Sequence, residues 1–188
     1  HLLRLCEKIF GISPLIVSHQ SVHMPVNLDN PSEIGADRLV NAVAVLAFYR
    51  PPAIVIDFGT ATTFDVINGR GEYCGGVIAP GVNLSMQALY SAAAKLPKVD
   101  VRKPSSVIGT NTVSAMQSGV YWGYVGMIEG TLKRIERELG ETPLIIATGG
   151  LADLFADTIE AIEQVDKDLT LRGLLSIHRQ EKSRRNAA

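Results

Sequence analysis

The chain has 188 residues, 46% hydrophobic and 20% charged, with 18 Lys and Arg against 19 Asp and Glu. The formal net charge of −1 lacks the basic footprint of a nucleic-acid binder, and the apolar content excludes an intrinsically disordered chain. No apolar run approaches the roughly 20 residues of a membrane span, and two cysteines, Cys6 and Cys74, are too few for a disulfide framework. The expectation is a cytoplasmic protein of a reducing compartment, with neither membrane nor nucleic acid as partner.

The sequence opens at His1 and runs straight into apolar residues at helical spacing over Leu2–Phe10, closed by Gly11. A helix without a cap or an initiator leads to the expectation that the natural chain begins earlier. Pro14–Ser18 is a short apolar run after a break and reads as a strand, and residues 22–31 read as irregular. Ser32–Phe48 reads as a helix with Ile34, Leu39, Val43, Leu46 and Ala47 on its apolar stripe, stopped at Arg50-Pro51-Pro52. Three strands follow. Ala53–Thr60 is of the buried type, Thr62–Asn68 returns to a turn at Gly69-Arg70-Gly71, and Tyr73–Pro80 is rich in glycine.

From there the pattern is mainly helical. Asn83–Ala94 is amphipathic and ends at Lys95-Leu96-Pro97, and Val99–Ser106 is a loop. Asn111-Thr112 caps a long helix over Val113–Leu139, ended by Gly140. Gly119, Gly123, Gly126 and Gly130 lie inside that helix, each costing about 1 kcal/mol against Ala, so another backbone is expected to pack against them. Pro143–Gly150 reads as a strand, Leu151–Ile159 as a helix, Leu169–Leu174 as a closing element and Glu181–Ala188 as a frayed tail. The whole is an α/β arrangement with a mixed sheet flanked by helices.

Four segments can carry chemistry. In Ile54–Thr63, Asp57 stands at the end of a buried strand, where open α/β sheets place ligands, although Asp-x-Gly is also a common turn. Gly59 lets the backbone approach a phosphate, Thr60 offers a hydroxyl and an amide, and the carboxylate suits a hard cation. In Gly35-Ala36-Asp37-Arg38, the acid could simply dress a helix N-terminus; alternatively it serves as a base for a hydroxyl while the arginine orients an anion. Gly149-Gly150 would let a ring or phosphate lie on the backbone, and Thr112 beside a helix N-terminus could bind a ligand oxygen. The four histidines are scattered, and GxSxG, GxGxxG and P-loop patterns are absent.

Taken in order, Gly35–Arg38, Ile56–Thr63, Gly75–Gly81, Asn111–Gly119 and Ala147–Ala152 resemble the type III pantothenate kinases over almost the full chain. The resemblance implies two ribonuclease H-like domains of the actin and sugar-kinase superfamily: residues 1–50 ending the first and residues 51–188 forming the second. It implies transfer of the ATP γ-phosphoryl to the 4′-hydroxyl of pantothenate, the first step of coenzyme A synthesis, with Mg2+ beside ATP. By the same resemblance Asp37 is the general base, and Gly35, Ala36, Arg38 and Thr112 contact pantothenate. Asp57 ligates a monovalent cation (K+ or NH4+), and Gly59, Thr60, Gly149 and Gly150 serve ATP. A homodimer is implied, with the pantothenate pocket built across it and the glycine-bearing helix as interface.

Two departures from the family pattern stand out. Leu28 occupies a position, seven residues before Gly35, where the family tends to have an aromatic residue. The Asp-x-Gly-Asn-Thr phosphate segment that opens family members is not in this sequence, which gives the expectation that this chain alone phosphorylates pantothenate poorly. A non-catalytic accessory protein on the same scaffold is the alternative reading, and a kinase acting on a sugar or acetate a third. Asp37, Asp57 and Thr60 favour the first reading over the accessory protein, since a protein without catalysis has no need of them.

Overall fold

The computed structural model describes residues 2–92 and 99–187. Helix α1 (Leu2–Phe10) leads through an irregular segment to α2 (Ala36–Phe48). Strands β1 (Ala53–Phe58), β2 (Ala61–Ile67) and β3 (Tyr73–Pro80) form an antiparallel meander. Then come α3 (Val82–Ala92), α4 (Thr112–Leu139), β4 (Leu144–Gly149), α5 (Ala152–Ala156), β5 (Gln164–Val165) and α6 (Leu169–Ala187). The sheet order is β3-β2-β1-β4-β5, with β4 parallel to β1 and β5 parallel to β4. This mixed five-stranded sheet with helices on both faces is the arrangement expected of a ribonuclease H-like domain.

Strand alternation decides what each face holds. Ile54, Ile56 and Phe58 of β1, with Phe64 and Val66 of β2, pack against Tyr121, Tyr124, Val125, Ile128 and Leu132 of α4. Phe155 of α5 closes this side, stacked 5.1 Å from Phe58 and 5.3 Å from Tyr121. On the opposite face Ala53, Val55, Ile67 and Ile146 meet α2 through Leu39, Val40 and Val43, and α6 adds Leu169 and Ile177. Residues 36–48 therefore share one core with the sheet.

The boundaries of β3 and α4 follow the sequence reading closely. Asn111 caps α4 in a reciprocal capping box with Ser114, and Gly140 ends it in the left-handed region at φ 70°. The end read for the third helix, at Lys95-Leu96-Pro97, lies outside the described residues.

Three expectations are corrected. Pro14–Ser18 is not a strand: Ile16 is 61% exposed, and the bonds along β3's free edge are made instead by Pro25–Asn27, where Tyr73 exchanges two backbone hydrogen bonds. The helix read from Ser32 starts at Ala36, because Asn30 caps a separate 3-10 turn over Pro31–Glu33 and Gly35 is extended, with ψ 142°. The tail is helical through Ala187, held to the segment between α1 and α2 where Glu181 and Arg184 meet His23. Strand β5, two residues long, gave no sequence signal.

Candidate active site

The polar residues gather on the α2 face of the sheet, at the C-terminal ends of β1 and β4. The register pairs Asp57 with Thr63 across β1–β2 and with Thr148 across β1–β4, so all three point toward α2, as does Asp65 two residues along β2. Opposite them lies the first turn and a half of α2, carrying Asp37, Arg38 and Asn41.

Arg38 is not a free arm. Its Nε donates to Asp65 Oδ1 at 2.6 Å, and Asp65 is completely buried. Tyr73 donates its hydroxyl to the same oxygen at 2.8 Å, and Thr63 donates to Oδ2 at 3.2 Å. Burial pushes the Asp65 carboxyl above the usual range, opposed by the guanidinium and by these hydroxyls. Burial and the Asp65 charge drive the Tyr73 phenol upward. Removing one member of such a pair strands a charge in the interior, a loss of about 3–5 kcal/mol. Arg38 Nη2 is buried with no acceptor among the described residues.

Asp37 is exposed, at the second position of α2. Its Oδ1 accepts from the Arg38 amide at 2.9 Å, which folds the carboxylate back over Gly35. A Cβ at residue 35 would lie 2.5 Å from that oxygen, so glycine makes the placement possible.

Asp57 divides its two oxygens. Oδ2 accepts from Asn41 Nδ2 at 3.1 Å, while no donor among the described residues reaches Oδ1. Oδ1 lies beside two glycines: a Cβ at residue 149 would sit 2.7 Å from it and one at residue 59 would sit 3.6 Å away. Gly149 also has φ 90°, a conformation side chains rarely adopt. Burial raises the pKa of Asp57; the hydrogen bond from Asn41 opposes this, and the charges of Asp65 and Asp37 add to it. Asp37 and Asp57 are thus near enough to feel each other.

Gly59, Thr60 and Gly150 line one pocket of about 380 Å³ with Phe58, Leu151 and the α3 residues Asn83, Leu84 and Gln87. Thr112 lies elsewhere, at the start of α4, in a groove with Ser85, Leu89, Gly109, Ala115 and Gly119. None of Gly35, Ala36, Asp37 or Arg38 lines that groove. Sequence reasoning missed Asp65, Asn41, Tyr73, Asn83 and Gln87. The only advance signal was strand alternation, which puts an acid at position 65 on the same strand face as Thr63.

A sequence profile of the type III pantothenate kinases matches residues 1–134. The chain belongs to this family. It is 58% identical over 177 residues to a type III pantothenate kinase of Paramagnetospirillum magneticum, a match covering 93% of this chain and 68% of that protein. The type III pantothenate kinase of Rhodospirillum rubrum is 56% identical, with 95% of this chain and 70% of the relative covered. A solved structure described as a conserved Baf family transcriptional activator from Campylobacter jejuni shares the fold, with TM-score 0.63, 21% identity and coverage of 88% of this chain and 72% of that one. Membership makes the protein an ATP-dependent pantothenate kinase acting on a small-molecule alcohol. No described helix is long and apolar enough to cross a membrane.

The raised pKa of Asp57 fixes a sign. The native state binds this proton more tightly than the unfolded chain does, so the associated stability is present below the ordinary carboxylate pKa and is lost as pH rises through the raised one. Asp57→Asn, which keeps an acceptor for Asn41, is predicted to melt above the wild type at pH 8 and level with it near pH 4. Thermal melts of both proteins across that range check the prediction, and an equal gap at all pH values would contradict it.

Proposed function

We propose that Asp37 is the general base of the kinase reaction and that Asp57, Gly59, Thr60 and Gly150 serve the nucleotide side of the same site. The observation that carries this reading is the placement of Asp37 in the first turn of α2, the helix whose Asn41, one turn on, bonds Asp57 at the end of β1. In the reaction Asp37 takes the proton of the pantothenate 4′-hydroxyl. The oxygen bonds to the γ-phosphorus, the bond to the β-phosphate oxygen breaks, and ADP leaves. Such transfers need positioning and charge neutralisation more than covalent help from the protein. Gly35 and Ala36 line the substrate side beside Asp37. Arg38, held by Asp65 through Nε, fixes the turn and keeps Nη2 for the substrate side.

The pocket of Gly59, Thr60 and Gly150 suits phosphate oxygens, and Gly149 shapes its wall against Asp57. The free Asp57 Oδ1, in a gap that any Cβ at residue 149 would fill, fits a monovalent cation such as K+ or NH4+, which would supply positive charge near the phosphates. Mg2+ would arrive on the nucleotide, held by its phosphate oxygens.

A homodimer completes the reading, in the cytoplasm. A Cβ added at Gly119, Gly123 or Gly126 would meet nothing within 4 Å among the described residues, so none of those uses their smallness. Trp122 on the same helix carries a buried indole N–H with no acceptor among the described residues. A second copy packed on this face would use the glycines and bring Thr112 toward its neighbour's substrate.

Two outcomes are expected. In a coupled assay of pantothenate-dependent ADP release on the full-length protein, Asp37→Asn lowers kcat by about 10²–10⁴-fold with the ATP KM little changed; an unchanged kcat would remove Asp37 from its role. In sedimentation velocity the wild type runs as a dimer and Gly123→Leu as a folded monomer. A dimer that tolerates leucine there would move the interface elsewhere.

A further inference from the structure

The Asp57 carboxylate is held from two helices away. Asn41 is 1% exposed and donates Nδ2–H to Asp57 Oδ2. Its own Oδ1 accepts from the Thr170 hydroxyl at 2.7 Å. The carboxylate only accepts, so it takes the amide nitrogen, and the Thr170 hydroxyl supplies the donor that the amide oxygen then needs. Thr170 belongs to the first turn of α6, more than a hundred residues further along the chain.

A second observation ties α6 to the same place. Gly173, one turn on, is buried where the helix crosses α2: a Cβ there would lie 2.2 Å from the Val40 carbonyl oxygen and 3.0 Å from its carbon. Only glycine permits this backbone contact. Val40 immediately precedes Asn41, so the spot where α6 approaches most closely is also where its hydroxyl reaches the asparagine. Both Thr170 and Gly173 lie beyond the residues matched by the family profile.

We infer that Asn41 and Thr170 are positioning residues for Asp57, and that α6, docked through Gly173, is part of the active-site apparatus. The chain Thr170–Asn41–Asp57 pins one carboxylate oxygen and so aims the other, Oδ1, at the gap beside Gly59 and Gly149. Without the Thr170 hydroxyl the buried Asn41 amide oxygen loses its donor and the side chain its second anchor, so the amide no longer holds Asp57 Oδ2 in one place. Partners of this kind, one bond removed from a ligand, typically change affinity by about 10–100-fold when lost. The inference rests on the proposed role of Asp57 in holding a monovalent cation.

The test is the melting temperature of the full-length protein as a function of KCl, with choline chloride holding ionic strength constant, for the wild type, Thr170→Val, Thr170→Ser and Asp57→Asn. The KCl concentration at half the melting shift is the readout, which a loss of packing alone leaves in place. Thr170→Val is expected to raise it about tenfold, Thr170→Ser to stay near the wild type, and Asp57→Asn to abolish the response. Thr170→Ala, which cannot overpack, gives the same displacement should valine disturb the fold. A wild-type midpoint in Thr170→Val and Thr170→Ala, with the response gone in Asp57→Asn, would overturn the inference while leaving the role of Asp57 intact. A response that survives in Asp57→Asn, or is absent from the wild type, would overturn the cation reading and this inference together.

Discussion

The pairing of Arg38 with the fully buried Asp65 is the constraint on which the site depends. A carboxylate with no access to water must find donors inside the protein, and Arg38, Tyr73 and Thr63 supply them. Because Arg38 is the third residue of α2, this requirement fixes the N-terminus of the helix over β2. Asp37 is then carried to the sheet's edge by its neighbour's obligation. Its own placement needs only a glycine at residue 35 and one backbone amide. The sheet register brings Asp57 to the same edge from the other side.

The two faces of the sheet divide the work. Toward α4 and α5 the contacts are apolar and aromatic, with Phe155 stacked between Phe58 and Tyr121. Toward α2 the apolar layer of Val55, Leu39 and Val43 gives way, near the strand ends, to Asp57, Asp65, Asn41 and Thr148. Burial works against both acids, so this end concedes stability in exchange for a poised carboxylate pair. Local sequence rules bend at functional sites for this reason.

How much of this was legible follows from the range of the interactions. Strands β1 to β3 and helix α4 were readable because their signals are local: alternation, a turn at Gly69–Gly71, a capping asparagine and a terminal glycine. Asp37, Asp57 and Thr60 stood out because they lie in motifs that follow one another as in the type III pantothenate kinases, although each motif alone is common. Asp65, Asn41 and Thr170 did not, since each is ordinary within its own element and gains meaning only from a partner 16 to 129 positions away. The false strand at Pro14–Ser18 teaches the same lesson, because a β-run becomes a strand only where an edge is free, and Pro25–Asn27 holds the edge of β3 at Tyr73. Arg38 was legible as an arginine beside an acid at a helix start, but its buried partner Asp65, on β2, was not.

The most direct test of the account is a crystal structure of the full-length protein with pantothenate, a non-hydrolysable ATP analogue and Tl+ in place of K+. The account predicts the 4′-hydroxyl within hydrogen-bond reach of Asp37, triphosphate oxygens at Gly59, Thr60 and Gly150, and an anomalous peak beside Asp57 Oδ1. Pantothenate bound away from Asp37, with its hydroxyl facing another base, would contradict it.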